Sequence, residues 1–170
     1  IVNKIVDLAL IEGDGTNGFK SIDKEADVKK IKKITTKAKS AGTTPFANAI
    51  EEAVDFVRPT AGRRYLIVKA EDRKALLDEL RQATANAHVR IKNDDAEIAS
   101  EVGVDEIIVY TGTKDVKPTV LVDQKYHIDM QDITKVDAFE WKTNSNMILV
   151  ETLTSGHVET YNAGAVITVA

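Results

Sequence analysis

The three histidines of the chain, His88, His127 and His157, are its best candidates for binding a transition metal. Zinc sites draw their ligands from pairs of residues at characteristic short spacings. None of the three has a second histidine or a carboxylate at such a spacing, and His157 is expected in an exposed hairpin turn. The chain has no cysteine, which excludes thiolate metal sites, disulfides and cysteine nucleophiles within it. We therefore predict no metal site.

A glycine-rich run and one glutamate are the remaining candidates for chemistry. The run from Glu12 to Gly18 follows an apolar helical stretch, whereas a phosphate-cradling loop needs a strand before it and a helix after it. Glu151 lies in the apolar segment MILVETL, where a carboxylate has to face solvent or find a partner. No G-x-S-x-G elbow and no Walker lysine loop occur. The sequence predicts no catalytic residue, no cofactor and no enzymatic activity.

The segment Asp23–Ser40 is rich in lysine and is predicted to form a helix. Val28, Ile31 and Ile34 recur at helical spacing, which places the lysines on a solvated outer face. The alternative is a local phosphate-binding strip, and the neighbouring acidic residues at positions 23–27 count against it. The lysines concerned are Lys29, Lys30, Lys32, Lys33, Lys37 and Lys39.

Composition describes a globular protein without a strong electrostatic preference for nucleic acid. Of the 170 residues, 43% are hydrophobic and 29% are charged, which is the balance of an ordered soluble domain. The net charge is −4 and only 5% of residues are aromatic, so neither a general attraction to nucleic acid nor a base-stacking platform is expected. No apolar run approaches the roughly 20 residues of a membrane span, and we predict no membrane partner.

The opening stretch Ile1–Glu12 is predicted to be a helix with a broad apolar face. Glycines from Gly13 onward are expected to end it, because glycine tolerates the left-handed conformation of a helix end. No capping residue precedes Ile1. We interpret the chain as part of a larger protein whose helix begins upstream.

Downstream, helices and strands are mixed, which predicts an α+β fold. A proline-started helix, a strand, a second helix, a loop and a further strand come first, followed by a terminal stretch rich in β-strand. The predicted elements are a helix from Thr44 to Pro59, a strand at Arg63–Val68, a helix at Glu71–Gln82, a loop at Thr84–Ala99, and strands at Val104–Tyr110, Val120–Asp123, Tyr126–Met130, Met147–Leu153 and Ala163–Val169, with turns at Asn144–Asn146 and Ser155–Gly156.

Read in order, these pieces resemble the tailed-bacteriophage major capsid proteins of the Hong Kong 97-like fold family. An apolar helix enters a G-D-G-T turn at Gly13–Thr16, and RRYLIVKAEDRKALLDEL is similar to the family's central strand and following helix. The segment VLVDQKYHIDMQDI is similar to the return strand towards the periphery. The ending from Phe139 to Ala170 resembles the family's aromatic residue, asparagine, "ilvE" strand, glycine turn and closing strand.

The resemblance implies a shell subunit with two domains. Residues 18–118 would form the axial domain, and residues 1–17 and 119–170 the peripheral domain, with the end of the spine helix. The family's N-terminal arm and extended loop are missing from this chain. The expected partners are copies of the same protein in pentamers and hexamers, with packaged DNA bound only non-specifically. The expected location is the virion capsid, after assembly in the bacterial host cytoplasm.

Some relatives in this family join neighbouring subunits covalently, through a lysine and an asparagine assisted by a glutamate. Asn144 and Glu151 fall near the matching positions of the terminal strands. The lysine would belong to the missing extended loop, so this chain could not complete the reaction alone.

Three other functions compete with the phage shell. An encapsulin-like nanocompartment shell has a similar fold and encloses an enzyme cargo. An unrelated α/β enzyme domain would have a deep pocket lined by convergent polar groups. A nucleic-acid binder would need a basic patch that continues beyond Lys29–Lys39.

Overall fold

The computed structural model describes residues 2–16, 18–38, 40, 43–85, 90–130, 134–140, 145–151 and 154–170. At residues 2–4, 130, 134–140, 145–151 and 154 it describes the backbone alone. Within these ranges, no helix is long and apolar enough to cross a bilayer.

The predicted opening helix is confirmed, but its second half is unusual. Helix α1 (Val2–Asp7) continues as a π-helix (Leu8–Glu12), in which hydrogen bonds span five residues. Gly13 ends it with φ −66°, so the expected left-handed glycine is wrong at this position. Close packing is the reason for glycine here, because a Cβ would lie 2.5 Å from the carbonyl oxygen of Leu8 and 2.8 Å from that of Phe19.

The helix predicted for Asp23–Ser40 is wrong. The structure has a 3₁₀ turn (Ile22–Lys24) and strand β1 (Ile31–Thr35) instead. Residues three apart share a face in a helix but lie on opposite faces of a strand. Ile31 and Ile34 are both buried, each in a different apolar cluster, so the spacing that resembles a helix comes from a strand covered on both sides.

The next elements follow the prediction closely, with one helix missed. Helix α2 (Pro45–Val57), strand β2 (Arg64–Val68) and helix α3 (Ala70–Thr84) are present, as is strand β3 (Glu106–Val109). The predicted loop from Thr84 to Ala99 is wrong over its last part, which belongs to helix α4 (Asp95–Val102). The Asp94 side chain accepts a hydrogen bond from the Ala96 amide, and Gly103 takes a left-handed conformation with φ 76°. These are ordinary start and stop signals of a helix.

Six strands follow in the last part of the chain. They are β4 (Thr119–Val122), β5 (Tyr126–Met130), β6 (Thr134–Glu140), β7 (Ser145–Glu151), β8 (Thr154–Val158) and β9 (Gly164–Thr168). Two of them, β4 and β9, join the earlier strands in one large sheet, and the other four form two small sheets. β5 pairs with β8, and β6 pairs with β7, both antiparallel. The predicted turn at Ser155–Gly156 is wrong, because both residues lie inside β8. Of the turn predicted at residues 144–146, Ser145 and Asn146 belong to β7, and Asn144 lies outside the described residues.

The large sheet has the strand order β1-β9-β4-β2-β3, and buried apolar residues lie on both of its faces. β1 is parallel to β9 and β2 to β3, while β4 runs antiparallel to both of its neighbours. One face carries the main core: Leu66, Val68, Val120, Val122 and Ile167 pack with apolar residues of α2, α3 and α4. The other face packs Val166 and Ile31 against Ile22, Val158 and Ala163, with Leu10 of the π-helix alongside.

This sheet crosses the predicted boundary between residues 18–118 and 119–170. Strands β4 and β9, from the part assigned to the peripheral domain, pair with β2 and β1 of the part assigned to the axial domain. The sheet is therefore built from both parts of the chain, and the division into two domains stays a prediction.

A buried carboxylate joins α2 to α3. Thr44 precedes α2 but its side chain makes no capping hydrogen bond. Instead, Glu79 Oε2 of α3 accepts hydrogen bonds from the amides of Phe46 at 3.0 Å and Ala47 at 3.1 Å. These amides belong to the first turn of α2, where N–H groups have no intrahelical partner and the helix dipole favours negative charge. Glu79 therefore caps α2 from a different helix.

Replacing Glu79 with alanine is expected to lower the free energy of unfolding by about 1–3 kcal/mol, because two buried amides lose their acceptor. Glu79→Gln keeps a side-chain oxygen and is expected to lose less. Urea unfolding followed by circular dichroism measures both, with Glu101→Ala, at an exposed position of α4, as the control. If Glu79→Ala and Glu101→Ala unfold at the same urea concentration, the capping role is wrong.

Candidate functional site

The segment Tyr110–Lys117, which follows β3, holds the opening helix against the sheet. The Tyr110 hydroxyl donates a hydrogen bond to the Asp7 carboxylate, and Lys114 Nζ lies 2.6 Å from Glu12 Oε1. The bond to Asp7 raises the pKa of Tyr110, and the bond to Glu12 raises the pKa of Lys114. At neutral pH both groups are protonated, which is the form that binds the helix.

The same segment reaches two further elements. Asp115 accepts a hydrogen bond from Lys69, immediately before α3, and this contact lowers the pKa of Asp115 and raises that of Lys69. Lys117 Nζ lies 3.4 Å from Asp23 Oδ1 in the 3₁₀ turn. Exposed pairs of this kind contribute little singly. Together they fix the course of the segment, which we call the polar junction.

Gly112 lets the Tyr110 ring lie against the backbone of the polar junction. A Cβ at position 112 would come within 2.1 Å of the Tyr110 hydroxyl oxygen, so a larger residue would displace the ring from Asp7. The Tyr110 amide also donates to the Val68 carbonyl at 2.8 Å. Side chain and backbone of Tyr110 are thus held by different elements.

Three lysines of the β1 region, Lys30, Lys32 and Lys33, are bound to other parts of the chain. Lys33 Nζ donates to the carbonyls of Ile22 at 3.2 Å and Asp23 at 2.6 Å, and burial lowers the pKa of Lys33. Lys30 Nζ donates to a β8 carbonyl at 3.0 Å, and Lys32 Nζ lies 2.7 Å from a glutamate of α2. These contacts argue against the phosphate-binding alternative.

The concave surfaces near the start of α2 are small. One groove of about 150 Å³ is lined by Phe46, Asp72, Glu79 and Val169 among others, and one of about 190 Å³ by Lys37, Asn48 and Glu52. Typical small-molecule sites have volumes of about 300–1,000 Å³. Neither groove has the size expected of the α/β enzyme alternative.

Two of the histidines are closer together than their positions in the sequence indicate. His127 of β5 and His157 of β8 are direct cross-strand partners, and their ring centres are 5.9 Å apart. His157 is exposed as expected, but it lies in a strand and not in a turn. His88 lies outside the described residues. Motif spacing missed the pair because strand pairing brings the two residues together. Within the part of the chain that the structure describes, no group of three or more histidine, aspartate or glutamate side chains is placed to hold a metal ion.

The two crosslink candidates are not brought together by anything the structure describes. Asn144 lies outside the described residues. Glu151 ends β7, opposite Thr134 of β6, and only its backbone is described. Their role stays a prediction.

Comparison with solved structures identifies the fold of this chain. No protein-family model matches the chain. In solved structures, the chain is similar over 99% of its length to the capsid of an empty GTA particle, of which it covers 65%, with a TM-score of 0.55 and 13% sequence identity. The chain has the Hong Kong 97-like phage capsid fold. The fold predicted from the sequence is therefore confirmed.

Two sequence relatives make the resemblance specific. Over all 170 residues the chain is 94% identical to the proteins named capsid protein of Lactococcus phage p2 and of Lactococcus phage SK1. It spans 43% of the length of each. The predicted resemblance to phage capsid proteins is confirmed by these matches.

The polar junction predicts how stability depends on pH. The pKa of Tyr110 is raised above its ordinary value of 10.0. The hydrogen bond from Tyr110 to Asp7 therefore adds to the free energy of unfolding below pH 10, and this addition is lost as the pH rises through the raised pKa. Tyr110→Phe is expected to lower the free energy of unfolding by about 1 kcal/mol or less at pH 7. Between pH 7 and alkaline pH, the free energy of unfolding of this variant is expected to decrease less than that of wild type.

Tyr161→Phe is the matched control, since Tyr161 is 61% exposed. Urea unfolding of both variants between pH 7 and pH 11 measures the difference. If the free energy of unfolding depends on pH in the same way for Tyr110→Phe and Tyr161→Phe, the hydrogen bond to Asp7 does not contribute to stability.

Proposed function

We propose that this chain is part of the structural subunit of a phage capsid shell, which self-assembles into pentamers and hexamers that enclose DNA. The observation that carries the proposal is the 94% identity, along the whole chain, with two proteins named capsid protein. The activity of such a subunit lies in its surfaces, and we propose no catalytic role. The phage names of these relatives favour a phage shell over an encapsulin-like compartment.

The surface of the described residues supports contacts with further copies. β1 and β3 are the outer strands of the large sheet, and each has one hydrogen-bonding edge without a strand partner among the described residues. Exposed apolar side chains lie on several different helices, strands and loops. This distribution suits a shell subunit that contacts several neighbouring copies better than a protein with one ligand site. They include Val6, Val28, Ile108, Ile128, Tyr161 and Val169.

For DNA, we propose enclosure without specific recognition. The net charge is −4, and Lys30, Lys32 and Lys33 already bind carbonyl or carboxylate oxygens. If this surface lines the inside of the shell, it would bind packaged DNA only weakly, because of the negative net charge and because these lysines are already engaged within the chain. We place the mature protein in the virion capsid, after assembly in the host cytoplasm.

For the domains, we propose that residues 1–17 and 119–170 contribute the peripheral part of the subunit and residues 18–118 most of the axial part. The polar junction supports a contact between them, because Tyr110 and Lys114 bind Asp7 and Glu12 of the opening helix. Strands β4 and β9 would then be shared, since they complete the sheet of the axial part.

The full-length protein that contains this chain is expected to form closed shells, visible by electron microscopy. Ile108→Lys is expected to leave soluble subunits in sedimentation experiments, because Ile108 is 41% exposed on the outer strand β3 and a charge there opposes edge contacts. Ile108→Val, which keeps a β-branched apolar side chain, is the matched control.

Circular dichroism checks that both variants are folded. Wild-type protein that stays monomeric at all concentrations would overturn the proposed function. An Ile108→Lys protein that assembles like Ile108→Val would overturn only the role of the β3 edge.

Particles are expected to dissociate completely in denaturing gels. Asn144 and Glu151 would be two of the three groups of such a crosslink, and most relatives with this fold do not crosslink. Only monomer-sized bands are therefore expected, in wild type and in Asn144→Asp alike. A ladder of higher bands that disappears in Asn144→Asp would show that subunits crosslink.

A further inference from the structure

A pair of exposed histidines lies on the small β5–β8 sheet. His127 and His157 occupy directly opposite positions of the two strands, and their rings are tilted by 59° with centres 5.9 Å apart. Two imidazoles that share a Zn²⁺, with metal–nitrogen distances of about 2.0–2.1 Å, have ring centres roughly 5–6 Å apart. The observed spacing therefore suits a shared metal ion.

The neighbouring carboxylates supply what a histidine metal site needs around it. Asp129 Oδ1 lies 2.9 Å from His127 Nε2, and the Ser155 hydroxyl donates to Asp129 Oδ2 at 3.3 Å. A carboxylate bound to one ring nitrogen orients the imidazole and leaves the other nitrogen for the metal. That other nitrogen, His127 Nδ1, is 4.0 Å from Glu159 Oε2. The negative charge of Glu159 thus lies on the side where a cation would bind.

We propose that His127 and His157 form a two-histidine site for a divalent late transition-metal ion such as Zn²⁺ or Ni²⁺. His127 Nδ1 and one nitrogen of His157 are the ligands, Asp129 orients His127, and water fills the remaining positions. Imidazole is a preferred ligand of these metals, whereas Mg²⁺ and Ca²⁺ prefer oxygen. Two protein ligands give a weaker site than the three or four of structural zinc.

The ion would add a link between β5 and β8, whose other attachments include the packing of Tyr126 and Val158 in the smaller apolar cluster and a hydrogen bond from the Tyr126 hydroxyl to the Lys20 carbonyl. β5 and β8 form a two-stranded sheet, and isolated pairs of strands are marginally stable. β8 also contacts the chain at Gly18–Lys20 through backbone hydrogen bonds of Gly156, but β5 has its outer edge free of strand partners in the described part of the chain. A bound metal would therefore stabilise the attachment of β5.

The test is calorimetric titration of the full chain with ZnCl₂ and, separately, NiCl₂ in a buffer that does not bind metal. Wild type is expected to bind one ion per chain, and the metal is expected to raise its melting temperature. His127→Asn and His157→Asn are each expected to weaken binding about a hundredfold, and Asp129→Asn about tenfold. His88→Asn, which removes the third histidine, is the matched control and is expected to bind like wild type.

Two further readouts separate a site from non-specific binding. In NMR spectra, the ring signals of His127 and His157 are expected to shift together during the titration, and circular dichroism checks that each variant is folded. Binding is expected to weaken at pH 5, because protons compete for the imidazole nitrogens. The proposal is overturned if wild type shows no saturable binding, or if folded His127→Asn and His157→Asn bind as tightly as His88→Asn.

Discussion

The interaction on which this fold depends most is the carboxylate of Glu79 at the first turn of α2. A charge taken out of water is costly unless it is hydrogen-bonded, and Oε2 of Glu79 accepts hydrogen bonds from two backbone amides. The bond fixes α3 relative to α2, and both helices pack on the same face of the sheet. The position of α2 in turn sets how Phe46, Ile50 and Val57 fill the core. One long-range polar contact thus coordinates much of the apolar packing.

Much of the fold could be predicted because its signals are local. Pro45 at the first position of α2 and the apolar run of β2 are signals complete within a few residues. β1 could not be predicted in this way, because its strand structure depends on pairing with β9, which lies far along the chain. Helix α4 is different: its signals, Asp94 and Gly103, are local, and attention to capping would have found it.

The polar junction and the histidine pair were beyond sequence reasoning for one shared reason. Tyr110 meets Asp7 across 103 positions, and His127 meets His157 through strand register. A motif search compares neighbours in sequence, whereas these contacts exist only once the sheets have formed. The resemblance to phage capsid proteins could be recognised earlier, because it depends on the order of whole elements and not on any single contact.

The π-helix at Leu8–Glu12 has a consequence for the two carboxylates that the polar junction binds. Residues five apart lie about 140° apart around an ordinary α-helix, which would turn Asp7 and Glu12 towards different surroundings. The wider π turn, closed by the bond from the Gly13 amide to the Leu8 carbonyl, brings residues at that separation nearer to the same side. The extra residue of the turn therefore rotates Glu12 towards the side of the helix that carries Asp7. As a result, one short segment, the polar junction, can bind both carboxylates.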